Sequence, residues 1–496
     1  MNQNAAAVRG ADAWAGHPRG LATLFFTEMW ERFSYYGMRA LLVLFMVDQI
    51  ESGGLAYDDQ TATAIYGLYT AAVYLVALPG GWIADRLWGA QRAVWVGGFI
   101  IMMGHFVLAI PGTPSFFAGL LLVVLGTGLL KPNISAIVGE LYPPGDPRRD
   151  GGFTIFYMGI NVGAMLGPLL CAWLARENWH YGFAAAGVGM LAGLIQFSLM
   201  RSQLGAAGAT PGAVPTPQLQ TRAWSIVLPA VLLVAVLWFA GISGWVTFDA
   251  LLLARGTTVA IVLSTIVYFA YVFIAGKLTR EERNRVIVII VLVFACAMFW
   301  AGFEQAGSSL NLFAERYTER QIGGFEIPAG WFQSLNPLFI ILLAPLYSML
   351  WVSLARRFME PSAPVKFAFG LILLGFGFAV MIGAAALVAA GNEVLPTWLL
   401  FTYLLHTMGE LALSPVGLSA MTKLAPRRFV GQMMGVWFMS TGLGNIIAGL
   451  VAGGFRADAL EEMPGLYFKL VLMAVGCGLV LLAFAKPLKR LMGGVH

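Results

Sequence analysis

Residues 28–39 read Glu-Met-Trp-Glu-Arg-Phe-Ser-Tyr-Tyr-Gly-Met-Arg and lie within an apolar stretch from residue 21 to residue 47. A helix of about 20 residues crosses a bilayer. The polar side chains follow the first glutamate at offsets of 3, 4, 7, 8 and 11, so they share one helical face. They are Glu28, Glu31, Arg32, Tyr35, Tyr36 and Arg39. Four charges on that face would cost roughly 10 kcal/mol or more against lipid. The stretch therefore predicts a transmembrane helix whose charged face lines the interior of a bundle.

The chain as a whole is strongly apolar. Of its 496 residues, 59% are hydrophobic and 11% are charged, and the mean hydropathy is +0.77. A soluble domain carries about 25% charged residues, so a water-soluble globule is excluded. We predict an all-α polytopic membrane protein with fourteen transmembrane helices. The predicted spans lie near residues 21–47, 61–83, 92–110, 115–139, 152–175, 181–200, 224–244, 252–276, 286–313, 330–355, 366–390, 396–422, 430–454 and 465–486.

The basic residues predict the orientation of these spans. Of 30 lysines and arginines, three lie within spans. With the N-terminus inside, six of the others fall outside the cell and the remaining 21, including Arg9, are cytoplasmic. The six are Arg176, Arg255, Arg316, Arg320, Arg456 and Lys469. Because cytoplasmic loops carry the excess of positive charge, both termini are predicted to be cytoplasmic.

A segment rich in Gly, Ala, Pro and Thr, residues 204–220, predicts a flexible linker after the sixth span. The seventh and eighth spans contain almost no ionisable residue apart from Asp249 and Arg255 at their outer turn, so they predict an inserted hairpin against lipid. Without it, the spans divide six plus six, as in transporters built from two similar halves. The predicted domains are an N-terminal six-helix bundle over 1–200, a linker and inserted hairpin over 201–283, and a C-terminal six-helix bundle over 284–496.

Three further charged residues lie inside predicted spans, where an ionisable side chain indicates function. Lys131 precedes Pro132, which frees backbone carbonyls and favours a helix break around a cavity. The alternative is that Lys131 snorkels to the interface. Glu304 and Glu410 have no cation nearby in sequence, so their partners must come from other helices or from substrate. For Glu31 and Arg32 a purely structural ion pair is the alternative.

Several function classes leave no trace in the sequence. The three cysteines are far apart in apolar stretches and the chain has only five histidines, so no cofactor and no metal site are predicted. His406, four residues before Glu410, is interpreted as a packing residue. The chain shows neither a nucleophile motif nor a repeated channel filter, and its basic residues form no dense patch. An enzyme, a channel and a nucleic-acid-binding protein are therefore disfavoured.

At three places the chain resembles bacterial members of the proton-dependent oligopeptide transporter family, within the major facilitator superfamily. The strongest is the first-span signature from Glu28 to Gly37, in which Glu-x-x-Glu-Arg-Phe precedes x-Tyr-Tyr-Gly. The others are Gly-Gly-Trp-Ile-Ala-Asp-Arg-Leu-Trp-Gly at residues 80–89 and Phe-Tyr-Met-Gly-Ile-Asn-Val-Gly-Ala at residues 156–164. The resemblance covers nearly the whole chain, including the inserted hairpin.

This resemblance implies a proton-coupled symporter that imports di- and tripeptides across the bacterial inner membrane and works as a monomer. The resemblance further implies that Glu304 receives the ammonium group of the peptide and that Arg39 and Lys131 face its carboxylate. A zwitterionic ligand needs such opposed charges, which agrees with the charged residues found above. The implied cavity residues are Arg39, Tyr35, Tyr36, Tyr74, Lys131, Asn161, Trp300, Glu304, Asn336, Glu410, Ser414 and Trp437.

The resemblance also implies how a proton is coupled. Protonation of Glu28, Glu31 or Glu304 would release a partner among Arg32, Arg39 and Lys131, and a contact between Lys131 and Glu410 would close the cytoplasmic gate. The sequence does not decide which carboxylate carries the proton. Animal members place a histidine where this chain has Gly67, so that histidine is not used here. Rival substrates are nitrate, glucosinolates or other organic anions, and a substrate that lacks an amine would not need Glu304.

Overall fold

The computed structural model of the protein describes residues 13–143, 145–212, 216–455 and 460–494. The orienting residues Arg9 and Arg456, and residues 213–215 of the predicted linker, lie outside these ranges. The helices are α1 Gly20–Val47, α2 Asp59–Ile83, α3 Ala90–Leu108, α4 Thr113–Glu140, α5 Arg149–Ala175, α6 Trp179–Met200, α7 Pro217–Ile242, α8 Ala250–Ala275, α9 Arg280–Phe303, α10 Ser309–Tyr317, α11 Leu335–Arg356, α12 Ala363–Ala389, α13 Thr397–Leu424, α14 Val430–Ala452, α15 Met463–Ala483 and α16 Ala485–Leu491. Two short antiparallel hairpins complete the structure, pairing β1 Ala13–Trp14 with β2 His17–Pro18 and β3 Gln321–Ile322 with β4 Phe325–Glu326.

Membrane-length helices dominate the fold. Within the described ranges, fourteen helices have at least 19 residues, and twelve helical segments are both long and apolar enough to cross a bilayer. The two other long helices are α1 and α13, each of 28 residues. They are more polar, and α1 carries the four charges of residues 28–39. The predicted all-α polytopic membrane fold is confirmed.

The chain forms two compact units. Unit 1 contains Met1–Leu41, Glu51–Leu55 and Leu75–Asp249, and unit 2 contains Leu42–Ile50, Ala56–Tyr74 and Ala250–His496. Helices α1 and α2 therefore contribute residues to both units, and the inserted hairpin places α7 in unit 1 and α8 in unit 2. The division of the sequence after residues 200 and 283 stays a prediction.

Small residues allow close helix crossings within unit 1. A Cβ on Gly97 of α3 would lie 2.7 Å from the carbonyl oxygen of Gly126 on α4, and a Cβ on Gly104 would lie 2.9 Å from that of Gly119. Real Cβ atoms almost never approach so closely. Van der Waals packing drives helix association in lipid, so these glycines account for the tight α3–α4 pair.

The segment after α6 differs from its prediction as a flexible linker. The Gln91 side chain donates to the carbonyls of Gly205 at 3.2 Å and Ala207 at 2.7 Å. The Gly208 amide donates to the Glu140 carboxylate at 2.7 Å. Gly205 and Gly208 have φ of 56° and 66°, which lets the chain turn back onto α3 and α4. Up to residue 212, the predicted linker is docked on unit 1.

Candidate functional site

The charged face of α1 is buried in unit 1. Glu28, Glu31 and Arg32 are each at most 3% exposed. The Arg32 Nε atom contacts Glu28 Oε1 at 3.1 Å and also bonds to Glu31 Oε2. Among the described residues, one oxygen of each carboxylate and Nη2 of Arg32 lack a hydrogen-bond partner. Two carboxylates therefore share one guanidinium in a buried place.

Glycines on α5 bring α1 into this position. A Cβ on Gly167 would lie 2.9 Å from the backbone nitrogen of Gly37, and a Cβ on Gly159 would lie 2.9 Å from the Phe25 ring. Gly163 meets the backbone of Met29 in the same way. These glycines recur every fourth residue, so they form one smooth face of α5. The motif at residues 156–164 thus has a structural role in seating the charged helix.

Aromatic rings flank the cations of α1. The Arg32 guanidinium lies 5.2 Å from the centre of the Tyr35 ring, and that of Arg39 lies 5.4 Å from the Tyr36 ring. The two tyrosines meet edge to face with ring centres 5.2 Å apart. Such cation–π contacts hold guanidinium groups in place without neutralising them.

The other predicted residues of unit 1 lie on α4 and α5. Lys131 is half-buried on α4, and Asn161 of α5 is buried and donates to the carbonyl of Tyr157 at 2.9 Å. Helix α4 continues from Thr113 to Glu140, so the expected break at Pro132 does not occur. Asn133 donates to the carbonyl of Leu129 at 2.6 Å and to that of Gly80 at 3.3 Å, so its side chain joins α4 to α2 beside the proline.

Glu304 lies at a break that the sequence did not reveal, because the ninth span was predicted as continuous over 286–313. Helix α9 ends at Phe303, a 3-10 turn covers Glu304–Gly307, and α10 begins at Ser309. The Glu304 side chain is 3% exposed, and it accepts a hydrogen bond from the Tyr66 hydroxyl at 3.4 Å. Glu304 therefore sits where the backbone leaves regular helix geometry inside unit 2.

A second carboxylate of unit 2 is held by an amide. Asn336 of α11 donates from Nδ2 to Glu410 Oε2 at 2.8 Å and to the Thr407 hydroxyl at 3.0 Å. Thr407 in turn donates to the carbonyl of Tyr403 at 2.7 Å. The predicted residues Asn336 and Glu410 are thus brought together, and the network links α11 to α13.

The remaining predicted residues of unit 2 are distributed over several helices. Trp300 on α9 meets the rings of Phe299 and Phe303 edge to face, at 5.7 and 5.2 Å between ring centres. Trp437 on α14 is buried and packs against Gly417 of α13, one turn after the half-buried Ser414. Tyr74 is half-buried on α2, where the part of the chain assigned to unit 2 ends.

Sequence reasoning missed Tyr66, Tyr403 and Thr407. Tyr66 and Tyr403 are polar aromatic residues in apolar helices. This is a weak signal of a functional site, because such residues are also common at the membrane–water interface. Thr407 lies three residues before Glu410 and so shares its helical face, a spacing that a search around each carboxylate would have found.

Membrane-length helices with buried charges on α1 and at the α9–α10 break define a polytopic transporter. Comparison with known proteins gives the family. The POT family (PTR2) matches residues 91–463. The chain is 44% identical over 500 residues to the peptide transporter YePEPT of Yersinia enterocolitica subsp. palearctica, with 98% of each protein covered. It is 38% identical over 496 residues to the di-/tripeptide transporter of Lactococcus lactis subsp. cremoris, with 97% of this chain and 98% of that protein covered.

A crystal structure of peptide transporter POT in complex with sulfate matches with a TM-score of 0.91 and 43% identity over the full length of both chains. The chain belongs to the POT family. The resemblance seen in residues 28–37, the major facilitator fold class and the prediction that the chain is not an enzyme are confirmed by these relatives.

Proposed function

We propose that the protein is a proton-coupled symporter that imports di- and tripeptides by alternating access, driven by the proton-motive force. The observation that carries this proposal is the placement of two predicted cations and two predicted carboxylates in different units. The cations Arg39 and Lys131 belong to unit 1, and the carboxylates Glu304 and Glu410 belong to unit 2. A free peptide carries one charge of each sign at opposite ends. Membership in a family whose relatives are named as peptide transporters supports the same substrate.

In this mechanism Glu304 binds the peptide ammonium while Arg39 and Lys131 bind its carboxylate. Aromatic and small polar residues accept varied side chains, because they offer area and adaptable hydrogen bonds without a shape-selective pocket. These are Tyr35, Tyr36, Tyr74, Asn161, Trp300, Asn336, Ser414 and Trp437. Pairing of Lys131 with Glu410 closes the cytoplasmic gate once the peptide has left.

The proton is coupled through the cluster of Glu28, Glu31 and Arg32. Because one guanidinium serves two buried carboxylates, a proton bound by either carboxylate weakens that ion pair and frees Arg32 to change partner. Glu304 is the other candidate carrier, since it is also buried. Protonation and peptide binding would then favour the same rearrangement, which is the requirement for symport.

The first test is uptake of labelled dialanine into proteoliposomes with an inward proton gradient and a negative interior. Accumulation that a protonophore abolishes supports symport. Equilibration of dialanine that the protonophore does not change would indicate a facilitator without proton coupling. N-acetylated dialanine tests the rival class of organic anions, because it keeps the carboxylate and lacks the ammonium. Equal counterflow of both compounds would contradict a role for Glu304 in amine recognition.

Glu31→Gln tests the coupling itself. We expect the variant to keep dialanine counterflow and to lose accumulation against a gradient, because the neutral amide cannot carry the proton. Glu177→Gln, at an exposed carboxylate between α5 and α6, is the matched control and should accumulate dialanine normally. If Glu31→Gln still accumulates dialanine, Glu31 is not the coupling residue.

The proposed setting is the bacterial inner membrane, with both termini cytoplasmic and one chain sufficient for transport. The excess of arginine and lysine in the predicted cytoplasmic loops supports this orientation. A reporter fused after residue 494 that is active only in the cytoplasm tests the C-terminal side. Reconstitution at less than one chain per vesicle tests whether a monomer suffices.

A further inference from the structure

The break between α9 and α10 is fixed by side chains of α2 and α13 and by a backbone carbonyl of α14. Tyr66 of α2 donates to the Glu304 carboxylate at 3.4 Å. The Tyr403 hydroxyl of α13 donates to the carbonyl of Ala306 at 3.3 Å. Gln305 donates to the carbonyl of Ala448 on α14 at 3.1 Å, and Ser309 donates to the Gln305 side chain at 2.6 Å. All these residues belong to unit 2. Side-chain hydrogen bonds therefore hold the backbone around Glu304, in addition to the backbone hydrogen bonds of the helices.

Tyr66 is built into this break. Its side chain is fully buried, and a Cβ on Gly307 would meet the Tyr66 hydroxyl oxygen. The absence of a side chain at residue 307 thus makes room for the phenol one turn beyond Glu304. A buried ring has few accessible rotamers, so its hydroxyl is a donor at a fixed place. A glutamate side chain has three rotatable bonds and would otherwise sample several orientations.

We propose that Tyr66 is a positioning residue that aims the Glu304 carboxylate at the amino terminus of the substrate and so sets the preference for ligands with a free ammonium. The proposal rests on the proposed function, in which Glu304 receives that ammonium. Tyr66 acts through Glu304 and need not touch the peptide. Gly307 is the second component, because any side chain there would displace the phenol.

The test is Tyr66→Phe, which keeps the ring and its volume and removes only the hydroxyl. We expect the KM for dialanine counterflow to rise about fivefold to tenfold, the effect of one ordinary hydrogen bond, because this contact is too long at 3.4 Å for the larger effect usual at a charged group. The maximal exchange rate should stay within twofold, since counterflow needs no proton gradient and the gate residues are unchanged. The ratio of inhibition by dialanine to inhibition by N-acetylated dialanine should fall by a similar factor.

Tyr467→Phe is the matched control. Tyr467 is also fully buried, and its hydroxyl has no hydrogen-bond partner among the described residues, so its loss should change neither the KM nor the ratio. Gly307→Ala is a second test that leaves Tyr66 in the chain, and it should raise the KM in the same direction.

The outcomes separate this proposal from the proposed function. Wild-type protein that fails to exchange dialanine at all would refute the proposed function and the proposal with it. Wild-type exchange with an unchanged KM and an unchanged inhibition ratio in Tyr66→Phe would refute the positioning role alone. A lower thermal stability with an unchanged KM would assign Tyr66 to packing and would also refute it.

Discussion

Gly67 on α2 lies directly against Gly449 on α14. A Cβ on Gly67 would be 3.1 Å from the Gly449 Cα and 2.9 Å from the Asn445 carbonyl oxygen. Both glycines belong to unit 2. Gly67 is also the position at which animal members of the family carry the histidine implied in proton coupling. The backbone of α14 fills the space that such an imidazole would need, which is a steric reason for the glycine at this position.

We therefore expect Gly67→His to fail as a graft of that histidine. Forcing a side chain into a packed contact costs about 1–3 kcal/mol and often more for a large residue. The variant should lose dialanine exchange and melt at a lower temperature in detergent. Gly67→Ala should show a smaller loss of the same kind. Gly476→Ala on α15, where a Cβ would meet no atom within 4 Å, is the control and should behave as wild type. Normal dialanine exchange by Gly67→His would contradict this expectation and would show that α14 can move to accommodate the side chain.

The helical fold could be predicted from the sequence because lipid imposes a simple rule. A backbone that crosses hydrocarbon must satisfy its own hydrogen bonds, so length and hydropathy locate the spans. The same rule identified the charged face of α1, since charges in a span need an interior partner. The geometry confirms that Glu28, Glu31 and Arg32 lie together.

The break at Glu304–Gly307 and the docking of residues 205–208 could not be predicted in this way. Both depend on contacts between segments far apart in the chain, such as Tyr66 with Glu304 and Gln91 with Ala207. Hydropathy averages over a window and does not register a single hydrogen bond. Pro132 shows the opposite error, because it is a local signal for a break and α4 is nevertheless continuous.

Asn336→Ala should impair transport through Glu410. The substitution removes the amide that donates to the Glu410 carboxylate at 2.8 Å, and a lost hydrogen bond to a charged group costs about 1.5–3 kcal/mol. We expect the rate of dialanine uptake to fall at least tenfold. Asn392→Ala is the control, since that exposed amide donates to the Leu387 carbonyl at 3.4 Å and to no carboxylate among the described residues. Uptake by Asn336→Ala within twofold of wild type would show that the Glu410 carboxylate does not depend on this donor.

The Arg316–Asp59 pair should contribute measurably to the stability of unit 2. Arg316 is bidentate, with Nη1 and Nη2 each 2.7 Å from one oxygen of Asp59. Both side chains are partly buried, so the attraction is screened less than at an open surface. A double-mutant cycle with Asp59→Asn and Arg316→Gln, followed by thermal unfolding in detergent, should give a coupling energy of about 1 kcal/mol.

The Arg428–Glu282 pair provides the comparison for that cycle. Its contact is a single one at 3.2 Å, and the Arg428 side chain is 47% exposed. Long, exposed charged side chains gain little from pairing in water. Arg428→Gln and Glu282→Gln should therefore be additive within error. Equal coupling in the two pairs would mean that bidentate geometry and burial have no effect here.

Arg32→Ala should be the most destabilising single substitution on α1. It would leave Glu28 and Glu31 buried without their shared guanidinium, and breaking a buried ion pair from one side costs about 3–5 kcal/mol. The purified variant should therefore melt well below wild type at neutral pH. Adding Glu28→Gln and Glu31→Gln removes the uncompensated charge, so the triple variant should recover much of the lost stability while remaining unable to accumulate dialanine. A triple variant that melts no higher than Arg32→Ala would mean that the arginine stabilises α1 through packing against Tyr35 instead of through charge.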